Sequence, residues 1–459
     1  MNKELSFRPP RKPNVIWVFG DQHRAQALSH RGDPNVFTPN IDNLSRTGMN
    51  FECAVSGAPW CTPFRGALLT GKYPHQNGVI RTPSLLDPDI PTVAHSFNDA
   101  GYHTAYVGKW HLDGSNHREH YVPPHHRGSF KFWMGYENNN NQHETYVYGS
   151  KNETPQRLPK YETEGLTDIL LGHLEKHVGQ REDYDPFFAV LSVQPPHGPY
   201  VTPINSQQGK HHIHPSKIKL RNNVPEIPSM RFNASIDHAG YYAMIEDLDQ
   251  NIGRICETLK DFSIDRETYI IFFSDHGNLL WSHGQTGKSS PWEESIRIPF
   301  IISKVGGPEN MCCGRTDALL NHVDIAPTTL GLCGIPVPNE MAGYDYSRHC
   351  IPEYATEYRE NPDRTDEPDS AYLQQIVRKM NPNTVNKAWR GVLMRDGWKY
   401  VCIPGSDWLL FDTKNDPYEQ ANHVHSTNFQ MQKVHCYNRL SRWIKETGDD
   451  FELPNIRLP

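Results

Sequence analysis

Four short apolar runs in this chain each end abruptly on residues that carry chemistry. Asn14–Phe19 leads into Gly20-Asp21-Gln22, and His103–Val107 into Gly108-Lys109-Trp110-His111. Phe187–Val193 leads into Gln194-Pro195-Pro196-His197, and Thr268–Phe273 into Ser274-Asp275-His276-Gly277. Continuous Val/Ile/Phe runs read as strands buried on both faces, which occur where helices cover a largely parallel sheet. Open sheets of this kind bind ligands beyond the carboxyl ends of their strands. One such pairing is weak evidence, but four together predict an α/β protein with its site along one sheet edge. Pro299–Ser303 reads as a further strand.

The remaining segments fill in the architecture. Asp237–Asp261 predicts a long amphipathic helix packed on the sheet, with its acidic residues on a solvated face. Gly114–Leu166 is a polar insertion rich in His, Asn and aromatics, including Asn138–Asn141, with no sustained periodicity. Trp389–Arg395, Trp398–Ile403 and Trp408–Asp412 read as short strands, with Asp396-Gly397 as a hairpin turn. A helix near Asn428–Thr447 would cover them. The expected fold is a large, mixed, mostly parallel sheet sandwiched by helices, with a smaller C-terminal α+β subdomain built on a short antiparallel sheet. The expected organisation is a catalytic domain over 1–350, a connecting segment over 351–386 and the small subdomain over 387–459.

Composition narrows the function. The 459 residues carry 46 Lys plus Arg against 53 Asp plus Glu, a mildly acidic and well-mixed balance of −7. That argues against nucleic acid or an anionic membrane as partner. No apolar run approaches the roughly 18 residues of a spanning helix. The start, MNKELSFRPPRKPN, lacks the apolar stretch of a secretory signal, so the chain as written reads as cytoplasmic, or as periplasmic or secreted if a leader was removed. Nine Cys, sparse and irregular and including Cys312–Cys313, imply no disulfide framework.

The most specific segment is Cys61-Thr62-Pro63-Phe64-Arg65-Gly66-Ala67-Leu68-Leu69-Thr70-Gly71. Pro63 suits the first position of a helix and Gly71 its end, so Cys61 sits on an accessible turn just ahead of a helix N-terminus. Such a terminus favours an anion, and Arg65 adds a fixed positive fork one turn on. Alone, Cys61 reads rather as a small buried residue before an ordinary helix. Asp21, Gln22 and Asp275 offer hard oxygens and His276 a nitrogen, suited to Ca²⁺ or Mg²⁺, with Mn²⁺ as a further option. Asp21 and Asp275 are also ordinary helix-cap or turn residues. A thiolate is a soft ligand in such a set, whereas an oxygen nucleophile at position 61 removes the mismatch. Tracts at His211–His214 and His117–His126 read as loop histidines. Trp60, His23, Arg24 and Trp110 flank these motifs as substrate contacts or as packing.

Cys-x-Pro-x-Arg followed by Thr70-Gly71 resembles the signature of the type I, formylglycine-dependent sulfatases of the alkaline phosphatase superfamily. Further landmarks of that family follow in order: Asp21-Gln22, Lys109-Trp110-His111, the turn at His197, Ser274–Gly277, and Gly287-Lys288 before Glu293–Pro299. Trp398-Lys399-Tyr400 through Asp416-Pro417 resembles its small C-terminal domain. Gln22 departs from the commonest pattern, which has a second acid there. The resemblance implies one divalent cation held by Asp21, Gln22, residue 61, Asp275 and His276, with Ca²⁺ expected. It implies that a maturation enzyme converts Cys61 to formylglycine, whose gem-diol, helped by Asp275, attacks sulfur. Lys109 and Lys288 would hold sulfate oxygens, His197 with Lys288 would protonate the leaving oxygen, His111 would take the proton of the second hydroxyl, and Arg65 would hold the diol. The expected activity is hydrolysis of a sulfate ester, on a sulfated carbohydrate given the aromatic, His-rich insertion. The alternatives are an aryl or choline sulfatase, a phosphonate or phosphate monoester hydrolase, or an inactive sulfatase-like binding protein.

Overall fold

The structure is a computed structural model, and it describes residues 12–114, 121–149, 154–179, 184–201, 203, 213–307, 311–354, 366–379 and 384–455. Fourteen strands follow one another along the described chain. They are β1 (Asn14–Gly20), β2 (Gly48–Phe51), β3 (His103–Lys109), β4 (Phe132–Tyr136), β5 (Tyr146–Gly149), β6 (Gln156–Arg157) and β7 (Phe187–Val193). Then come β8 (Thr268–Ser274), β9 (Phe300–Lys304), β10 (Gly314–Thr316), β11 (Ser370–Gln375), β12 (Trp389–Met394), β13 (Trp398–Ile403) and β14 (Ser406–Asp412).

The first ten form one sheet in the order β10-β2-β9-β8-β1-β7-β3-β4-β5-β6. Its centre, from β8 through β1, β7 and β3 to β4, is all parallel, while β9 and β5 join antiparallel on either side. β1 shows why these runs are strands. Val15, Trp17 and Phe19 enter one hydrophobic core and Ile16 and Val18 the other, so both faces are buried by period-two alternation. Register brings the strand ends level: Gly20 pairs with Val193 and with Ser274, and Gly108 with Ser192. Asp21, Gln194, Asp275 and Lys109 therefore finish side by side. Gly20 is required at that edge, because a Cβ there would meet the Pro195 carbonyl oxygen at 2.6 Å.

Two expectations about the large domain are corrected. The long helix runs from Pro228, at its first turn, to Asp261, and its acids are not all on a solvated face. Glu246, Asp247 and Asp249 are buried. Asp249 accepts the backbone N–H of Asn40 at 3.3 Å and of Ile41 at 2.7 Å, and so caps the helix Pro39–Thr47, which has no side-chain cap of its own. Burial pushes its carboxyl up to about 7. The insertion is not irregular throughout, for it supplies β4, β5 and β6. Its strands are short and half-polar, and aromatic contacts hold them: Trp133 stacks on Tyr106 with centroids 5.1 Å apart.

The last four strands form an antiparallel sheet, β11-β12-β13-β14, covered by the helix Gln430–Thr447. Asp396-Gly397 makes the expected turn, with Gly397 at φ 98°. β11 falls within the segment read as a connection, 351–386. Its sequence, Ser-Ala-Tyr-Leu-Gln-Gln, hides a strand buried on both faces: Tyr372 enters one cluster and Ala371 and Leu373 the other. One cluster also holds Ala67, Tyr73 and Val323 and the other Val55, Ile296 and Leu319, so the small sheet packs directly on the large domain. Among the described residues, no helix is long and apolar enough to cross a membrane, and all nine cysteines are free.

Candidate active site

The helix Cys61–Thr70 starts at Cys61 itself, two positions earlier than expected, so that Pro63 takes its third position and not its first. None of the first few N–H groups of a helix has an intrahelical partner, so Pro63 loses nothing there. Gly71 ends the helix at φ 63°, donating its N–H to Ala67 at 2.8 Å. Cys61 is not on an accessible turn; it is 2% exposed, at the floor of the site.

Around it the strand ends converge. The Cys61 Sγ lies 3.4 Å from Asp21 Oδ1 and 3.2 Å from His276 Nε2, and Lys288 Nζ donates to it at 2.9 Å. Ligand atoms of Asp21, Cys61, Asp275 and His276 all lie within 4.8 Å of one another. Gln22 joins them: its Oε1 accepts from Lys288 Nζ at 2.8 Å, while its backbone N–H donates to Asp275 Oδ1 at 3.0 Å. Gln22 holds φ 77° and His111 φ 62°, left-handed conformations that cost roughly 1–2 kcal/mol each for such residues. Strain of this kind gathers where surroundings dictate the backbone.

Cations frame the cluster. Lys109 Nζ donates to Asp21 Oδ2 at 2.7 Å. Arg65 Nη2 lies 3.4 Å from both Asp21 Oδ2 and Asp275 Oδ2, and its Nη1 donates to the Lys109 carbonyl at 2.8 Å and to Ser192 Oγ at 2.7 Å. Ser192 anchors Arg65 from inside β7, a role with no signal in the sequence. Burial opposes ionising Asp21, yet Lys109 and Lys288 hold its carboxyl well below the usual range. Asp275 goes the other way: burial, then the charge of Asp21, pushes it up to about 6. Burial alone would lower Lys288, but Cys61, Asp21 and Asp275 hold it above the ordinary lysine value.

The histidines are set by their backbone partners. His276 Nδ1 donates to the Gly277 carbonyl at 2.8 Å, which leaves the Nε2 lone pair facing the carboxylates. Burial lowers it to about 4, so the ring is neutral. His197 Nδ1 donates to the Gly198 carbonyl at 2.6 Å, and burial, then Lys288, holds it well below its ordinary value. His111 is likewise held low by burial, then Lys109 and Arg65.

These residues fit a divalent cation. Two buried carboxylates, an amide oxygen and an imidazole lone pair converge, and a dication would relieve the repulsion that raises Asp275. Lys288, bonded to both Gln22 and Cys61, neutralises part of the same charge in this arrangement.

The family model described as Sulfatase matches residues 13–335, well over half of the chain. The chain is a member of the sulfatase family. A second model, N-sulphoglucosamine sulphohydrolase C-terminal, matches residues 282–446. This sulfatase is 32% identical over 445 residues to the ulvan-active sulfatase of Formosa agariphila, covering 96% of this chain and 83% of that one. It is 29% identical to an endo-4-O-sulfatase of Bacteroides thetaiotaomicron, covering 97% and 95%. Among solved structures, one from work on the metabolism of multiple glycosaminoglycans by Bacteroides thetaiotaomicron superposes with TM-score 0.82 at 27% identity, covering 96% and 97%. The sulfatase is thus a sulfuric ester hydrolase with the expected fold, of a family that uses a divalent metal and formylglycine.

Of the flanking residues, three serve packing. His23 Nε2 lies 3.1 Å from the Ala27 carbonyl, Arg24 donates to the Asn278 and Leu279 carbonyls at 3.0 and 2.8 Å, and Trp110 is buried against Tyr106 and Trp133. Trp60 instead lines the pocket. Over its ring, 5.1 Å from the centroid, stands the ammonium of Lys379, which sequence reading missed within the supposed connection. Burial, then Lys288, pulls Lys379 down to about 7. From the insertion, Gln142 Nε2 donates to the His197 carbonyl at 3.0 Å and Asn140 Oδ1 accepts from Gln194 at 3.0 Å. Among the histidine tracts, His117, His211 and His212 lie outside the described residues; His126 pairs with Asp113 at 2.6 Å and His214 with Ser216.

Proposed function

We propose that this sulfatase removes sulfate from a sulfated carbohydrate, using Cys61 matured to formylglycine and one Ca²⁺ held by Asp21, Gln22, residue 61, Asp275 and His276. One observation carries the reading: Cys61, two carboxylates and three cations meet at a buried helix N-terminus, with the thiol sulfur 3.4 Å from Asp21 and 2.9 Å from Lys288. A thiol serves poorly among hard oxygen donors, and an oxygen at position 61 completes the set. The names of the relatives, an ulvan-active sulfatase and an endo-4-O-sulfatase, support a saccharide over an aryl, choline or phosphonate ester.

When bound, the cation and the hydrated aldehyde would supply charge neutralisation and a nucleophilic hydroxyl. This chain's own residues do the rest. Lys109 and Lys288 hold the sulfate oxygens and stabilise the charge that spreads over them in the transition state. Arg65, fixed by Ser192 and the Lys109 carbonyl, keeps residue 61 and both carboxylates in register. His197 presents Nε2 toward the leaving oxygen and gives it a proton when the substrate anion has raised its basicity. His111, neutral at pH 7, takes a proton from the side chain of residue 61. The catalytic domain over 1–350 is kept as a proposed unit, while the small subdomain, expected over 387–459 after a connection over 351–386, is extended back to include β11.

The test is desulfation of a panel of sulfated oligosaccharides by protein coexpressed with a maturation enzyme, read by mass spectrometry. Sulfate release from saccharides is expected; release from aryl sulfates or aryl phosphonates alone would overturn the carbohydrate reading.

A further inference from the structure

We infer that Lys379, standing over the Trp60 ring, forms a subsite for a second negatively charged group on the saccharide, a carboxylate or another sulfate, beside the ester that is cleaved. The inference rests on the sulfated-carbohydrate reading and adds the charge pattern of the substrate.

Position is the first argument. Trp60 immediately precedes Cys61, and the ammonium of Lys379 lies 5.1 Å from its ring centroid. Burial, then the nearby charge of Lys288, lowers its ammonium, which places it near the reacting centre. A cation on an aromatic face is attracted to the ring while its N–H donors stay available.

The segment that carries it is tied to the catalytic domain on both sides. Before it, the Gln374 N–H donates to the Gly57 carbonyl at 2.7 Å, and Gln375 Nε2 donates to the Val377 carbonyl at 2.8 Å. After it, Thr384 Oγ1 donates to the carbonyl of Lys288, itself a sulfate-binding residue. The described backbone leading to Lys379 is thus anchored at Gln374, which a merely solvated lysine does not need.

Charge is the second argument. Around Cys61, Arg65, Lys109 and Lys288 pair, among the described residues, with two carboxylates, Asp21 and Asp275, and a bound dication would add further positive charge. A sulfate ester brings one negative charge. Among the described residues, no carboxylate lies within ion-pairing distance of Lys379. A cation buried near Lys288 is unfavourable alone, and a second anionic group on the substrate relieves that.

The experiment uses matured, Ca²⁺-loaded protein and three related saccharides: a monosulfate, the same monosulfate linked to a uronate, and the corresponding disulfate. For Lys379→Met, the ratio of kcat/KM on a dianionic substrate to that on the monosulfate should fall about ten- to hundredfold, mostly through KM, as for a lost charge-assisted contact. Lys379→Arg should restore most of it. A fall for the uronate alone identifies a carboxylate, and a fall for the disulfate alone a second sulfate. An unchanged ratio overturns the subsite. Calorimetry in the Cys61→Ala background separates the two readings. If no saccharide is desulfated but dianionic saccharides bind and lose affinity with Lys379→Met, the subsite stands and the function falls. Binding indifferent to Lys379, or none at all, overturns the subsite.

Discussion

The floor and the rim of the pocket are built by opposite means. The floor, at the carboxyl ends of β1, β3 and β8, is buried and its charged groups share partners: Asp21 alone meets Arg65, Lys109, His276 and Lys288. The rim is gathered from afar, with Gln142 from the insertion, His197 from the turn after β7 and Lys379 from beyond β11, held by uncharged hydrogen bonds or one ring contact. A network shared among buried charges fixes the geometry that chemistry needs. Sparse contacts at the mouth leave substrate choice free to vary without disturbing that geometry.

Substitutions should reproduce this gradient. Cys61→Ala in the floor removes the nucleophile and should cost at least about 10⁴-fold in kcat, with circular dichroism unchanged. Cys61→Ser should be nearly as inactive, since one hydroxyl cannot replace two. Peptide mass analysis of active wild-type protein should find formylglycine at position 61; full activity with an alkylatable thiol there would collapse the distinction between floor and rim.

Next comes the cation. Asp275→Ala or exhaustive chelation should lower activity by about 10³-fold on every substrate alike. With Asp275 raised to about 6, a proton competes with Ca²⁺ below that pH, so calorimetric affinity should weaken as pH falls from 7 to 5.

His197 stands at the boundary. His197→Ala should cost about 10²–10⁴-fold on saccharide sulfates, whose leaving oxygen is basic, and much less on activated aryl sulfates. Because the ring is held well below its ordinary value, the protonated acid becomes scarcer as pH rises. The kcat/KM on saccharide sulfates should therefore decline with rising pH from the acid side of neutrality, and His197→Ala should flatten that slope. Equal losses on both leaving groups would assign His197 to the floor.

Gln142→Ala, which removes only one hydrogen bond to the His197 carbonyl, should have the smallest effect, about fivefold. A loss as large as that of Asp275→Ala would show that the rim is as rigid as the floor.

The same contrast decides what could be read in advance. Asp21, Lys109 and Asp275 each follow directly on a buried strand, and Cys61 and Arg65 share one helical turn, so contiguous motifs carry the floor. The rim has no such marking. Lys379 is one lysine in a polar stretch, and its place at Trp60 depends on β11, whose glutamines and serine conceal a strand buried on both faces. Ser192 looks like an ordinary strand residue until Arg65 reaches it. Asp249 was misread for a related reason: helical period shows which face a residue occupies, but not that an uncapped neighbouring helix ends against that face.

The bond from Thr384 to the Lys288 carbonyl, with Ala67 and Val55 packed into the small sheet, bears on how new specificities arise in this architecture. The C-terminal sheet supports the loop and the helix that do the chemistry, and it also carries a residue at the mouth. A tail exchanged between relatives would arrive with its own supporting surface. A hybrid therefore keeps turnover only when the inherited seam matches, and recognition and competence for catalysis are passed on as one unit.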